Sequence, residues 1–442
     1  MKKLVIILIL LLAATNIYAQ KKWTLKECVT YALENNISVK QSELDLESTD
    51  ADKLAAIGNF LPSINGSASL SENTGLSLNP TNNELENTTF GSASGSINVG
   101  YTLFDGLRNF RNVQRAKISK LAAQHRLDKM KDDISLFVAN AYLQVLLNKA
   151  NLDVLKAQND VTKEQISRTQ DLVDAGVLPR GDLLEIQATD ASEIQNIVTA
   201  ENTVQISLIS LAQLLLIKEY ETFDIEDEGY DIVDDGISSK SVAEIIANAK
   251  ETRSEIKIAE SDVAIAEKDL QLARGAYYPT LSAFFGYNTR YADNDPLNRS
   301  FTEQLYLNDG IGYGLQLNVP VLNGLNVRSN VKRSKVNLQR SRYQLEQAQL
   351  DLESNIYQAY VDVKGAYKAY EAAMKAFESQ ELAYQYAKDR YDVGLTNAFD
   401  FSQSKLRFDN ASIEVNRTKY DYIFKLKVLE LYFGIPATEL KF

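Results

Sequence analysis

Apolar and polar positions alternate along this chain with two periods, and the switch between them recurs. Leu127, Met130, Ile134, Phe137, Ala141 and Val145 follow one another at steps of three or four. Leu352, Ile356, Ala359, Val363, Tyr367, Tyr370 and Met374 do the same. That spacing predicts amphipathic helices, with Lys, Asp, Glu, Gln and Asn on the opposite faces. Elsewhere the period is two. Ile64, Gly66, Ala68 and Leu70 alternate with Ser63, Asn65, Ser67, Ser69 and Ser71, and Ala93, Gly95, Ile97, Val99, Tyr101 and Leu103 alternate with Ser92, Ser94, Ser96 and Asn98. Leu281, Ala283, Phe285, Tyr287 and Tyr291 stand against Ser282, Gly286, Asn288 and Arg290. Ile311, Tyr313, Leu315, Leu317 and Val319 stand against Gly312, Gly314, Gln316 and Asn318. These segments predict four strands.

The seven prolines bound the helices. Pro62, Pro80, Pro179, Pro279, Pro296, Pro320 and Pro436 leave clear the tracts from Gly106 to Asp174, Asp182 to Ile217 and Leu325 to Asp392. A proline inside a helix costs ~3 kcal/mol, so these tracts are free to be very long helices. One of ~70 residues would reach ~105 Å, which points to coiled-coil packing.

The pattern is written twice. Pro62 and Pro279 are 217 residues apart (279 − 62), and Phe104-Asp105-Gly106-Leu107 recurs as Leu322-Asn323-Gly324-Leu325 at 218 (324 − 106). Ala141-Tyr142 recurs as Ala359-Tyr360, and Gly176 with Asp182 recurs as Gly394 with Asp400. Solenoid units are on the order of 20–50 residues, so this is a whole-domain duplication. The organisation expected is a signal peptide over 1–19, a first repeat over 20–217, an acidic linker over 218–240 and a second repeat over 241–442. The first repeat is a helix, strands 62–72 and 89–104, a long helix and a hairpin near 176. The second is a helix, strands 279–291 and 311–322, a long helix and a hairpin near 394.

Lys2 and Lys3 precede an apolar run from Leu4 to Ala14, and Ile17-Tyr18-Ala19 offers a cleavage site, so export is expected. The run falls short of the ~20 residues a spanning helix needs; a retained anchor is the alternative. Each strand pair alone also fits an ordinary sheet buried on one face. Export, the aromatic set in the second pair and the strand count favour transmembrane strands. Membrane barrels have ~8 strands or more, and an unclosed sheet leaves edges unpaired in lipid, so several chains would have to pool their strands. Three would give twelve.

Cys28 is the only cysteine and His125 the only histidine, which excludes an internal disulfide and a histidine-based metal cluster or triad. Cys28 is expected to pack as a small apolar residue. The net charge of −12 argues against nucleic acid as a partner. Ser71–Thr88 and Tyr291–Gly310 read as exposed loops. The run with Glu219, Glu221, Asp224, Glu226, Asp227, Glu228, Asp231, Asp234 and Asp235 reads as a solvated linker or, less simply, a cation site.

The order helix, strand, strand, long helix, hairpin, helix, given twice after a signal peptide, resembles the TolC-type outer-membrane efflux family, the outer membrane factors. The resemblance covers essentially the whole mature chain. It rests on Pro62 and Pro279, on the turns Phe104-Asp105-Gly106-Leu107-Arg108 and Pro320-Val321-Leu322-Asn323-Gly324, and on the hairpins Val173-Asp174-Ala175-Gly176-Val177-Leu178 and Tyr391-Asp392-Val393-Gly394-Leu395-Thr396. It implies an α+β membrane protein: a homotrimer whose 12-stranded β-barrel crosses the outer membrane and continues into a long periplasmic α-helical barrel. It implies a passive exit duct of a tripartite efflux or type I secretion system, not an enzyme, without cofactor or metal. The alternative is a periplasmic coiled-coil scaffold without a channel.

The resemblance also implies that Ala175, Gly176, Val177 and Leu178, with Val393, Gly394, Leu395 and Thr396, dock a periplasmic adaptor bound to an inner-membrane pump. Glycine after a long helix is in any case a common left-handed cap. Asp182 and Asp400 fit helix-start carboxylates favoured by the dipole; the resemblance places them, with Tyr391, at an entrance gate. Gln403 and Thr396 stand where the family has a second acidic residue and a basic lock. Fewer charged locks are therefore expected, with the Tyr391 hydroxyl clasping Asp182.

Overall fold

The computed structural model describes residues 21–78, 83–227, 232, 236–237, 240–295 and 297–435. The expected signal peptide lies outside them, as do Pro80, Pro296, Pro436, Glu228, Asp231, Asp234 and Asp235. In chain order the elements are β1 (Lys22–Trp23), α1 (Leu25–Asn35), α2 (Ile37–Gly58), β2 (Ser63–Leu78), β3 (Leu85–Phe104), α3 (Arg108–Asp174), α4 (Arg180–Leu215) and β4 (Asp224–Ile225). They continue with α5 (Val242–Thr252), α6 (Ser254–Gly275), β5 (Thr280–Ala292), α7 (Phe301–Leu307), β6 (Gly310–Asn318), α8 (Asn326–Asp392) and α9 (Ala398–Phe433). Two compact units divide them. One holds the chain up to Glu43, Arg126–Ile256 and the chain from Ala348; the other holds Leu44–His125 and Lys257–Gln347.

In the first unit, each single helix expected before a strand pair is two helices. The breaks fall at repeat-equivalent Asn36 and Arg253, where tertiary bonds compete with the helix. Asn36 Oδ1 accepts the Ser38 N–H at 2.9 Å, and its amide donates to the Leu214 carbonyl at 3.3 Å. The buried Arg253 guanidinium reaches Glu255 at 2.7 Å and Asp132 at 3.6 Å. The acidic stretch is not wholly a solvated linker. β4 pairs in parallel with β1, Phe223 and Ile225 are buried, and Asp224 is ion-paired to Lys149. The Tyr142 hydroxyl fastens this ribbon by donating to the Trp23 and Glu226 carbonyls, at 3.1 and 2.6 Å. Cys28 is fully buried, and burial pushes its thiol up to about 12.

In the second unit, β2, β3, β5 and β6 form one antiparallel sheet in that order. The strands begin where the prolines end α2 and α6, since proline removes a helical donor. Both first-repeat strands outrun their expected spans, so the loop expected over Ser71–Thr88 shrinks to a few residues. β6 stops at Asn318, short of the expected 322. The register aligns the two faces across all four strands. Ile64, Val99, Phe285 and Tyr313 form one apolar row, and Gly66, Ile97, Tyr287 and Ile311 the next. The opposite face carries a hydroxyl ladder in which Ser67–Ser96, Ser69–Ser94 and Ser71–Ser92 hydrogen bond at 2.8–2.9 Å. Antiparallel neighbours this close are the unit of sheet stabilisation.

The second expected loop, 291–310, is not irregular throughout. It contains α7, capped by the Ser300 hydroxyl accepting the Glu303 N–H at 3.3 Å. β6 covers the outer edge of β5 only as far as Asn288. Beyond that point Gln304 takes the place of a strand: its amide accepts from the Ala292 N–H at 3.0 Å and donates to the Ala292 carbonyl at 2.9 Å.

One turn needs its glycines. Gly106 (φ +74°) approaches the end of α6 so closely that a Cβ would lie 2.3 Å from the Gly275 carbonyl oxygen. A Cβ on Gly275 would meet Arg108 Cγ at 2.5 Å.

Candidate functional site

Two hairpins close the helical unit, each built by the same cap. α3 ends at Asp174, and Gly176 takes φ +73°, so that the Val177 N–H donates back to the Leu172 carbonyl at 2.9 Å. α8 ends at Asp392, Gly394 takes φ +73°, and the Leu395 N–H donates to the Arg390 carbonyl at 2.8 Å. This six-residue back-bond through a left-handed glycine satisfies carbonyls that the helix end leaves open. Each cap turns Ala175, Gly176 and Val177, or Val393, Gly394 and Leu395, out to solvent. Leu178 and Thr396 are half-buried. Val177, Val393 and Leu395 are each more than 60% exposed, an apolar tip on both hairpins.

The returning helices start differently. Asn397 caps α9 by accepting the Asp400 N–H at 2.8 Å, and the Thr396 hydroxyl donates to the Asp400 carboxylate at 3.3 Å. Its counterpart at the start of α4 is Pro179, which makes no side-chain cap, and Asp182 follows in the first turn. Asp400 is exposed and Asp182 half-buried. Both carboxylates therefore sit where a helix N-terminus favours negative charge.

Tyr391 is buried, but its partner is not Asp182. Its hydroxyl hydrogen bonds the Thr169 hydroxyl at 3.0 Å, and its ring stacks on Phe401 with centroids 5.1 Å apart. Ile186 and Ala398 complete that cluster, with Leu178 packed against it, so residues of both hairpins share one small core. Burial raises the Tyr391 hydroxyl above the ordinary phenol range, so it stays protonated. Arg168, one residue before Thr169, holds the Asp392 carboxylate at 2.9 Å.

A second polar cluster was not foreseen. The buried Lys405 ammonium donates to Glu193 at 2.6 Å and to Asp409 at 3.2 Å, and Thr162 and Asn159 of α3 donate to the same Glu193 carboxylate. The cluster borders a cavity of about 600 Å³ along α4 and α9. Burial raises the Asp409 carboxyl to about 6 against the opposing pull of Lys405. The signal in the sequence is the opposite-charge i, i+4 pair Lys405 and Asp409, which follows Ala398 and Phe401 on one face of α9.

The fold so described consists of two long helical hairpins and a four-stranded sheet with one apolar face. The match to known proteins is specific: a model of the outer membrane efflux protein family covers residues 29–215 and 245–434, and the chain belongs to that family. It is 23% identical over 330 residues to nodulation protein T of Rhizobium leguminosarum bv. viciae, covering 71% of this chain and 61% of that protein. It is 24% identical over 296 residues to the outer membrane protein TolC of Vibrio cholerae serotype O1, covering 67% of this chain and 66% of that protein. The matches thus span just under two thirds of these relatives. Among solved structures, the fold is similar to CusC (TM-score 0.78, 16% identity, 95% of each chain). It is also similar to the CmeC outer membrane channel of Campylobacter jejuni (TM-score 0.79, 19% identity, 93% of this chain and 85% of that one).

Proposed function

We propose that this chain is one subunit of a homotrimeric, passive exit duct in the outer membrane, serving a tripartite efflux or type I secretion system. The sheet carries this reading. It is apolar in continuous rows on one face and lined with hydroxyls and amides on the other, as a wall between lipid and water requires. Among the described residues both outer edges, β2 and β6, are unpaired. Lipid does not tolerate open edges, so further copies must close the barrel; three copies make twelve strands. The duct does no chemistry, and its cargo is chosen by the inner-membrane pump.

The exposed tips Ala175–Leu178 and Val393–Thr396 would dock the periplasmic adaptor, since apolar side chains held out on rigid caps suit a helical partner. Asp400, with Asp182, would form an acidic ring about the channel axis, and buried Tyr391 would hold the hairpins closed. Detergent-extracted protein reconstituted in a planar bilayer tests the duct: trimers that conduct ions support it, and a protein soluble without detergent and unable to conduct overturns it. Photo-crosslinkers at Gly394 and Leu395 in cells test docking by the adaptor they capture. Asp400→Ala trimers with unchanged ion selectivity and divalent-cation block would remove the acidic ring.

A further inference from the structure

We propose that α7 is an interfacial helix, which leans over the apolar face of the sheet at the outer rim and seats its exposed side chains in the headgroup layer of the lipid leaflet. The proposal rests on the reading of that face as lipid-facing, and assigns a lipid surface to this one loop.

The contacts of α7 fix the side on which it lies. Beyond the row that ends at Ile311, the apolar face continues without β6. Its next rows are Ala68, Gly95 and Thr289, then Leu70, Ala93 and Tyr291. α7 packs on this uncovered end. The Phe301 ring meets the Tyr291 ring edge to face, with centroids 5.0 Å apart. The Thr289 hydroxyl donates to the Leu305 carbonyl at 2.6 Å. Tyr291 and Thr289 both belong to the apolar face, whereas Asn288 and Arg290 join the hydroxyl rows of Ser96 and Ser94. The Asn308 amide donates to the Arg290 carbonyl at 3.1 Å, and together with Gln304 it pins the helix to the strand edge.

Its height follows from strand geometry. Ten residue steps separate Leu281 from Tyr291 (291 − 281) on β5. At ~3.3 Å per residue they span ~33 Å, and a strand tilt of ~40° leaves ~25 Å along the barrel axis. That is the height of the lipid-facing band of such barrels, so Tyr291 stands at its boundary and α7 with it.

The side chains at that level suit neither bulk water nor hydrocarbon. Leu297 and Tyr306 are 72% and 82% exposed, and Phe301 and Leu307 are at least half exposed. Thr302 and Glu303 are exposed on the same helix. A carboxylate deep in the bilayer is costly, while an apolar cluster in water gains nothing by exposure. The headgroup layer accepts both, and it is where amphipathic aromatic rings concentrate. The hydrogen bonds to β5 hold α7 there in advance, which a seven-residue helix could not achieve by its own partitioning.

Trp23 is the only tryptophan, so a Trp23→Phe background makes any added indole a single reporter. Tyr306→Trp, Leu307→Trp and, at mid-band, Tyr313→Trp are each placed in full-length trimers in phosphatidylcholine vesicles. The lipid chains are brominated either close to the headgroup or deep, and folded protein is selected by heat-modifiable mobility. Quenching at 306 and 307 should be several-fold stronger from the shallow bromines than from the deep ones and weak from aqueous iodide. At 313 the deep bromines should dominate. Indoles at 306 and 307 that iodide reaches and bromines do not would leave the loop in water. Shielding from all quenchers would put α7 against protein. Either result, with 313 still quenched by lipid, overturns the interfacial helix and leaves the duct standing. A Tyr313→Trp indole that no lipid quenches would overturn the lipid-facing sheet and α7 with it.

Discussion

The Tyr391 hydroxyl and the Thr169 hydroxyl meet 3.0 Å apart in the buried core beneath the two hairpins. This bond ties the end of α8 to α3, and it is uncharged. Arg168 and Asp392 add an ion pair beside it, with the arginine half exposed. Both contacts hold the end of α8 to α3.

Tyr391→Phe keeps the ring on Phe401 and removes the bond, leaving one buried hydroxyl without its partner. The expected cost is ~1–2 kcal/mol, confined to the hairpins. Reconstituted Phe variants should open more often than wild type, and Thr169→Val should do the same. The double variant should add little, since both remove one bond. Single-channel recording checks this, and additive opening would separate the two residues.

Asp409 makes stability depend on pH in an unusual direction for a carboxylate. Its folded value of about 6 lies above the ordinary 3.8, so the folded state holds its proton more tightly. The penalty of ionising it is fully present above pH 6 and is relieved as pH falls toward 4. Its ceiling is roughly 3 kcal/mol from the shift. The groups bearing on it are Lys405, which favours the charged form, and Glu193, which opposes it. Asp409→Asn should therefore raise melting temperature at pH 8 and match wild type near pH 4, while Lys405 keeps Glu193. Thermal melts across that range decide, and a less stable Asn variant at pH 8 would show that the Lys405 bridge outweighs burial.

How far these features could be read in advance depended on whether they are local. The long helices and strand faces were legible because periodicity runs through dozens of residues, and Leu317 or Ser94 declares its face by its neighbours. The breaks at Asn36 and Arg253 were not, since they depend on Leu214 and Asp132 far along the chain. α7 was hidden because its one buried side chain, Gln304, is polar and the residues around it are turn formers. β4 was hidden in the acidic run, where Phe223 and Ile225 stand among Glu221, Asp224, Glu226 and Asp227. The family resemblance pointed to Tyr391, but packing alone selects Thr169 over Asp182 as its partner.

Glycines that look alike in the repeat should respond differently to alanine. At Gly176 a Cβ enters open space, so the cost is the left-handed backbone alone, ~1–2 kcal/mol. At Gly106 the same strain is joined by a Cβ 2.3 Å from a carbonyl oxygen, and neither backbone can yield without moving the β3–β5 joint. Gly176→Ala should still assemble, whereas Gly106→Ala should fail to reach the outer membrane in folded form. Heat-modifiable mobility on denaturing gels measures both.

Gln304 should matter more than any exposed residue of its helix. Its amide supplies both hydrogen bonds of Ala292 where β6 has ended, and it donates further to the Arg299 carbonyl at 3.1 Å. Gln304→Leu preserves volume but leaves the buried N–H and C=O of Ala292 unpaired, at ~1–3 kcal/mol for each group. The loss falls on the end of β5 and spares the register below Asn288, where β6 supplies the ladder. Amide exchange in the peptide ending at Ala292 should accelerate by at least tenfold, since ~1.4 kcal/mol already corresponds to that factor. Tyr306→Ser, on the same helix but 82% exposed, should leave exchange unchanged. If both variants exchange alike, α7 packs on the sheet through its apolar side chains and the amide is incidental.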